Sequence, residues 1–291
     1  MRCACIDIGS NTTRLLVAEP GPDGLREVLT QRRYTRLRGH DGHIPDEKVR
    51  EVAAAVATQV ELARRCDSDH IRAVATAAIR QASNRDELCA AVERAGGVTV
   101  DVLSAEEEAR LAFAGATRTL RHAPDGDVAV VDVGGGSTEL VCGTVAGGMT
   151  WSASFRVGSG TLADSYLRSD PPAAVELDQL RGHVAGVFEG LRVPDVAVGY
   201  AVGGSATSLR RLIGAVLDHE TLGRGVRVLS AEPAVEVARR FELHLERVRV
   251  LPAGMLLLDA ASELLGVPLR IAGGGLREGV ILERLGAERA A

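Results

Sequence analysis

Four glycine-rich turns, two aspartates that lead into two of them, and one run of three glutamates are the residues of this chain best placed to do chemistry. The turns lie in DIGSN (7–11), DVGGGS (132–137), VGGSAT (202–207) and AGGGLREG (272–279). Glycine lacks a Cβ, so such a turn can bring consecutive backbone N–H groups against phosphate oxygens. A helix beginning directly after the turn adds the positive end of its dipole. Candidate phosphate contacts are therefore Gly9, Ser10, Asn11 and Thr12 in the first turn and Gly134, Gly135, Gly136, Ser137 and Thr138 in the second. Gly204 and Ser205 in the third complete the set. The aspartates, Asp7 and Asp132, end their strands where a carboxylate can hold Mg²⁺ directly or through water.

Two common phosphate motifs are excluded. The chain contains no GxxxxGK[ST]. DVGGGSTELVC is not a dinucleotide fingerprint, because a strand-like segment, TELVC, follows its glycines where that fingerprint needs a helix.

The elements that must position these residues alternate between strand and helix patterns, which predicts an α/β chain. Strands are expected at 3–8, 13–19, 25–38, 71–76 and 98–103. Pro45 suits the first position of a helix over DEKVREVAAAVATQVELARR. Asn84 and Glu87 have the spacing of a capping box, with Gly96 closing that helix. Ser104 and Glu107 have the same spacing, which gives Glu107 a structural task at a helix start. Glu106 favours the positive end of the dipole, and Glu108 is left without a local role.

The segment CACIDIGSNTTRLLV (3–17) repeats as VAVVDVGGGSTELVC (128–142) at an offset of 125 residues. Ala4, Asp7, Gly9, Thr13 and Leu15 meet Ala129, Asp132, Gly134, Thr138 and Leu140. A strand–turn–strand unit recurring one domain length apart predicts two similar domains facing each other across a cleft. Their expected extents are 1–122 and 127–291, with RHAPDGD (121–127) as the boundary and the last helix able to pack back on the first domain.

Composition narrows the function. The 291 residues are 46% apolar and 25% charged, as in an ordinary soluble globular protein. Aromatics are only 3%, which argues against base stacking, and a net charge of −5 argues against bulk capture of nucleic acid. No apolar run spans a bilayer and no leader pattern precedes the first strand. Five scattered cysteines suit reduced thiols in a cytoplasm. Cys3 and Cys5 are expected on one strand face, in the core.

DIGSNTTRLLV (7–17), VATAAIRQASN (74–84), LSAEEEARLAFAG (103–115) and DVGGGSTELV (132–141) appear in the order of the exopolyphosphatase and guanosine pentaphosphate phosphatase family. AVGGSATSL and GLREG are similar to its later motifs. The resemblance covers nearly the whole chain. It implies duplicated actin-like (ribonuclease H-like) domains of the sugar kinase and heat-shock ATPase superfamily, and Mg²⁺-assisted (or Mn²⁺-assisted) attack of water on a terminal phosphate. By position it implies Glu108 as the general base, Asp132 as metal anchor with Asp7 opposite, and Arg80 as a phosphate contact.

Arg14 follows the first glycine turn and is a further candidate phosphate contact, and Arg277 is read as structural before ligand-binding. Arg32, Arg33, Arg36 and Arg38 read as a solvated strand edge, and HDGH (40–43) as a solvated loop. Where the family carries an arginine, this chain has RVGSGTLAD (156–164), so Gly158, Ser159 and Gly160 are expected to form a further anion nest without a side-chain cation. The chain ends without the added helical domain of longer relatives, an expectation that favours short substrates. The expected activity is release of orthophosphate from short inorganic polyphosphate. Guanosine pentaphosphate hydrolysis, a kinase or ATPase on the same fold, and a weakly catalytic nucleotide or polyphosphate sensor remain alternatives. No apolar surface stripe marks an oligomer interface, and a homodimer is left open.

Overall fold

The computed structural model describes residues 1–21, 24–37 and 42–289. The chain forms two compact units, one of Met1–Arg121 with Gly274–Ala291 and one of His122–Gly273.

The first unit opens with β1 (Cys3–Ile8), β2 (Thr12–Gly21) and β3 (Gly24–Tyr34), followed by α1 (Asp46–Arg65) and β4 (His70–Ala75). Next come α2 (Ala77–Arg80), α3 (Arg85–Gly96), β5 (Val100–Val102) and α4 (Ala105–Arg118). Its sheet has the order β3-β2-β1-β4-β5, with β2 antiparallel to β1 and β4 parallel to it. That order, with the second strand reversed, is the arrangement of actin-like, ribonuclease H-like domains.

β1 is buried on both faces, and its alternation separates two cores. Ala4, Ile6 and Ile8 pack with α1 and α3 residues such as Val52, Val56, Leu88 and Val92. Cys3 and Cys5 share the other face with Leu16, Leu111 and residues of the final helix. None of the five cysteines is in a disulfide, and burial pushes the Cys5 thiol far above its ordinary value, with the Asp7 charge adding to it.

The second unit contains β6 (Val128–Val133), β7 (Thr138–Thr144), β8 (Gly148–Phe155), α5 (Ser159–Tyr166), α6 (Ala174–Val187), β9 (Val198–Val202) and α7 (Gly203–Ile213). It continues with β10 (Val216–Leu217), α8 (His219–Ala231), α9 (Ala234–Arg240), α10 (Leu245–Val248), α11 (Leu251–Leu265) and β11 (Leu269–Ile271). The sheet order is β10-β11-β9-β6-β7-β8, the same plan with a short edge strand added. α11 is apolar almost all round and forms the centre of this core through Leu251, Met255, Leu257 and Leu258.

The duplicated segment folds as two hairpins in identical register. Asp7 faces Arg14 and Ile8 faces Thr13 in the first, as Asp132 faces Glu139 and Val133 faces Thr138 in the second.

α12 (Leu276–Arg289) lies with the first unit; the sequence reading drew the second domain to 291 but allowed this last helix to pack back on the first. The physical reason is its apolar stripe: Leu276, Val280, Ile281 and Leu285 are buried against Cys3, Cys5, Leu16 and Leu111. Glycines make the approach to α4 close enough, since a methyl at Gly115 would overlap the Gly275 carbonyl and one at Gly279 would overlap that of Leu111.

Two local expectations are corrected. Asn84 stands at the start of α3 without capping it. Its side chain instead accepts from the Ile44 N–H (3.0 Å) and donates to the Ile44 carbonyl (2.9 Å), tying down the chain before α1. α3 is closed by Gly97, in the left-handed region at φ 65°, one residue beyond Gly96. Arg38, His40 and Asp41 lie outside the described residues. Arg32, Arg33 and Arg36 are exposed, on or just after the edge strand β3. Among the described residues no helix is long and apolar enough to cross a membrane.

Candidate active site

In the first unit the chemistry gathers at the C-terminal ends of the parallel strands, where open α/β sheets place ligands. β1 delivers Asp7 and the turn Gly9–Asn11. The end of β4 is bonded to it, with the Thr76 N–H donating to the Ile8 carbonyl at 3.3 Å. α2 then presents Arg80, and α4 begins beyond β5.

The first turn of α4 sorts its three glutamates. Glu107 accepts from the Ser104 N–H (3.0 Å) while Ser104 Oγ accepts from the Glu107 N–H (3.1 Å), completing the capping box. That backbone hydrogen bond holds the Glu107 carboxyl below its ordinary value. Glu106 is exposed, whereas Glu108 is 7% exposed and turned inward. Arg80 reaches it: Nη1 donates to Glu108 Oε2 at 2.9 Å and to the Leu103 carbonyl at 2.7 Å. Among the described residues, Nε and Nη2 of Arg80 have no protein acceptor.

Asp7 is half-buried beside Arg14, its partner across the hairpin. Burial pushes its carboxyl above the ordinary value. The guanidinium charges of Arg14 and Arg277 offset this only in part, and the Glu278 charge adds to it. Arg277 is nearly buried and donates to the Leu15 carbonyl (3.4 Å), so it serves the first unit's own packing.

The second unit shows how a glycine turn is aimed. The Gly134 N–H closes the turn onto the Ser137 carbonyl at 3.0 Å, as the Gly9 N–H does onto Thr12. The start of α5 then holds the turn from one side. Ser159 N–H and Oγ donate to the Gly134 carbonyl (2.9 and 3.0 Å), and the Gly160 and Thr161 N–H groups donate to the Gly135 carbonyl (3.0 Å each). In a trans peptide the N–H points opposite to its carbonyl. The N–H groups of Gly135 and Gly136 therefore face away from α5, and neither has an acceptor among the described residues. A side chain at Gly158 would run into this turn. The expected anion nest at Gly158–Gly160 is thus corrected: the Ser159 and Gly160 N–H groups are committed to aiming the neighbouring turn, and the Gly158 N–H donates to Thr161 Oγ1 at 3.1 Å.

The first hairpin is held in the same way. The Leu37 N–H donates to the Ser10 carbonyl (2.6 Å), and the Thr35 and Arg36 N–H groups donate to that of Asn11 (3.0 and 3.1 Å).

Other expected contacts have structural tasks. Thr138 is fully buried and its hydroxyl donates to the Val157 carbonyl at 2.7 Å. Ser205 is fully buried with its Oγ packed against Gly254 of α11. Thr12 and Ser137 are buried at the mouths of their turns. Ser83 Oγ lies 3.4 Å from His43 Nδ1, and no group of three metal-ligating side chains occurs among the described residues.

Two residues were missed by the sequence reading. Glu139, 1% exposed, faces Asp132 across the hairpin and accepts from Ser154 Oγ at 3.1 Å. Its signal was available, since the repeat sets it against Arg14, an opposite charge inside an otherwise matched segment. Arg247, 6% exposed, lays its guanidinium against Gly204 at the start of α7. It gives the second unit a buried cation that RVGSGTLAD does not supply, and no sequence pattern marks it. Gly203 has φ 83°, and a Cβ there would overlap Asp132 Oδ1, so this glycine makes room for the carboxylate.

A model of the Ppx/GppA phosphatase family matches residues 16–288. The solved Ppx/GppA enzyme of Aquifex aeolicus is 28% identical over 97% of this chain and 99% of its own, with a TM-score of 0.79. An exopolyphosphatase-like protein is 26% identical over the full length of both chains, with a TM-score of 0.86. An exopolyphosphatase from Cytophaga hutchinsonii, 20% identical over 99% of this chain and 98% of its own, shares the fold at a TM-score of 0.87. The chain belongs to the Ppx/GppA phosphatase family and is a hydrolase of phosphoanhydride bonds.

Proposed function

We propose that the chain is an exopolyphosphatase, releasing orthophosphate from the end of short inorganic polyphosphate with Mg²⁺ or Mn²⁺ as cofactor. The observation that carries this reading is the Arg80–Glu108 pair, a buried carboxylate and an arginine whose Nε and Nη2 remain available to an anion. Glu108 orients a water and takes its proton as the water oxygen bonds to the terminal phosphorus. The bridging P–O bond breaks, and the chain one phosphate shorter keeps the bridging oxygen. Arg80 binds an equatorial phosphate oxygen while its Nη1 keeps Glu108 in place. In the second unit the Gly135 and Gly136 N–H groups hold phosphate.

The side chains present fit a hard divalent cation. Asp132 and Glu139 are facing oxygen donors, Gly203 leaves the Asp132 carboxylate room, and the half-buried Asp7 calls for counter-charge. In the second unit Asp132 with Glu139, and in the first unit Asp7, are the carboxylates that would hold such a cation, whose charge would offset that of the phosphate oxygens. Five cysteines outside any disulfide suit a reducing, cytoplasmic setting.

The test is orthophosphate release, with Mg²⁺ or Mn²⁺, from short polyphosphate, long polyphosphate, guanosine pentaphosphate and ATP, for the wild type beside Glu108→Gln. Fastest release from short polyphosphate, reduced about 100-fold or more in the variant, supports the proposal. Preference for guanosine pentaphosphate would transfer the same chemistry to a nucleotide substrate. No release from any substrate by the folded wild type would overturn it.

A further inference from the structure

Along β2 and β3, opposite charges face each other at one end and like charges at the other. Far from the Asp7 turn, Glu19 of β2 stands opposite Arg26 of β3, and the two form an ion pair. Close to the turn, Arg14 of β2 stands opposite Arg32 of β3. Like charges directly opposite on neighbouring strands are destabilising. Arg14 has the Asp7 charge on its other side, across β1. Arg32 is exposed and has no hydrogen-bond or ion-pair partner among the described residues.

Successive residues of a strand point to opposite faces. Asp7, Arg14 and Arg32 therefore form one row across β1, β2 and β3, on one face of the sheet. Arg33, opposite Thr13, lies on the other face, with Leu15 and Val17. Asp7 is the carboxylate of the row. Glu278 adds negative charge beside it, and Arg14 and Arg277 offset that charge.

The sheet order gives the row a direction. In β3-β2-β1-β4-β5, Arg80 follows β4 and Glu108 lies beyond β5, on one side of β1. Arg14 and Arg32 lie on the other side. Neighbouring strands are about 4.8 Å apart, which puts β3 roughly 10 Å from β1. A linear anion that ends at Arg80 and Glu108 therefore meets the Asp7 turn next, then Arg14, then Arg32. Orthophosphate is too short to reach β3, and a chain of several phosphates is not.

Resting on the exopolyphosphatase reading, we propose that Arg32 is a specificity-determining residue for chain length. With Arg14 it holds distal phosphates of a linear polyphosphate whose terminal phosphate lies at Arg80 and Glu108. The polyanion supplies the negative charge that the Arg14–Arg32 opposition lacks. An arginine kept only to discourage edge-to-edge pairing of β3 would serve equally on either face, so Arg33 is the internal control.

The test measures binding without turnover, by isothermal titration calorimetry of full-length Glu108→Gln protein with tripolyphosphate and with long polyphosphate. The same protein carrying Arg32→Glu or Arg33→Glu is titrated beside it, with thermal unfolding as the check on folding. Both reversals change the net charge equally at adjacent exposed positions. Arg32→Glu is expected to weaken binding of long polyphosphate about tenfold, a difference of about 1.4 kcal/mol. The loss should be smaller for tripolyphosphate and smaller in Arg33→Glu. Equal losses in the two variants would assign the effect to net charge and overturn the proposal. Unchanged binding in Arg32→Glu, equal losses for both chain lengths, or no binding of either would overturn it as well. Orthophosphate release by the wild type is read separately. Release with binding indifferent to Arg32 removes the role of Arg32 and leaves the exopolyphosphatase reading standing. Arg32-dependent binding of long polyphosphate without release does the reverse.

Discussion

Arg80 Nη1 is shared between the Glu108 carboxylate at 2.9 Å and the Leu103 carbonyl at 2.7 Å, so one guanidinium nitrogen links the end of β5 to the inward face of α4. The planar fork matters because the other two nitrogens are left for an anion while this link persists. A lysine has one ammonium and must choose. Arg80→Lys is therefore expected to lower kcat/KM for orthophosphate release by about 100-fold, with little change in thermal unfolding. Activity within about threefold of wild type, where a lost phosphate contact costs 100-fold, would show that no phosphate is held there.

Asp7 carries a cost for the fold. Its carboxyl is raised above the ordinary value by burial, so the folded state disfavours its charge. The sign follows from linkage: the stability it contributes is full below the unfolded value and is lost as pH rises through the raised folded value. Asp7→Asn removes the charge and should unfold at a higher temperature than wild type at neutral pH. The advantage should shrink as pH falls through the raised folded value and vanish below 3.8, the ordinary carboxyl value, where both states of the wild type are protonated. Melting curves of both proteins across that range check it, and an advantage independent of pH would assign the effect to packing.

Gly203 combines φ 83° with a Cα that looks directly onto Asp132 Oδ1. An alanine there brings backbone strain of about 1–3 kcal/mol and displaces the carboxylate. Gly203→Ala is expected to lose activity by tenfold or more while α7 and the surrounding core stay folded, read by phosphate release beside circular dichroism. Wild-type activity in this variant would separate Asp132 from the chemistry.

What could be read in the sequence was local. The hairpin repeat and the Ser104–Glu107 box depend on residues within a turn or two of each other. The same holds for the strand faces of Cys3 and Cys5. What escaped depends on partners far apart in the chain. Asn84 bonds Ile44 instead of its own helix, and the N–H groups of 159–161 bond the turn at 134–135. Arg247 lies against Gly204, a neighbour no spacing rule predicts. Residues 158–160 looked like a nest because glycine and serine permit one, but a nearby carbonyl pair competes for the same donors. Tertiary context decided which donors remained for an anion.

The close approach of α4 and α12 predicts the stability of the first unit. A methyl at Gly115 overlaps the Gly275 carbonyl, which is backbone and cannot swing aside as a side chain can. Gly115→Ala is expected to cost about 3 kcal/mol or more, at the upper end of overpacking losses, because a whole helix must move. The shift should also unmask Cys3 and Cys5, which are 2% and 0% exposed behind Val280 and Ile281. Gly279→Ala meets the Leu111 carbonyl on the same contact, so the two changes together should cost less than their sum. Chemical unfolding, with the labelling rate of Cys3 and Cys5 by a thiol reagent followed in parallel, tests both points. A stable Gly115→Ala protein with unlabelled Cys3 and Cys5 would mean that α12 can pack against α4 in a second register.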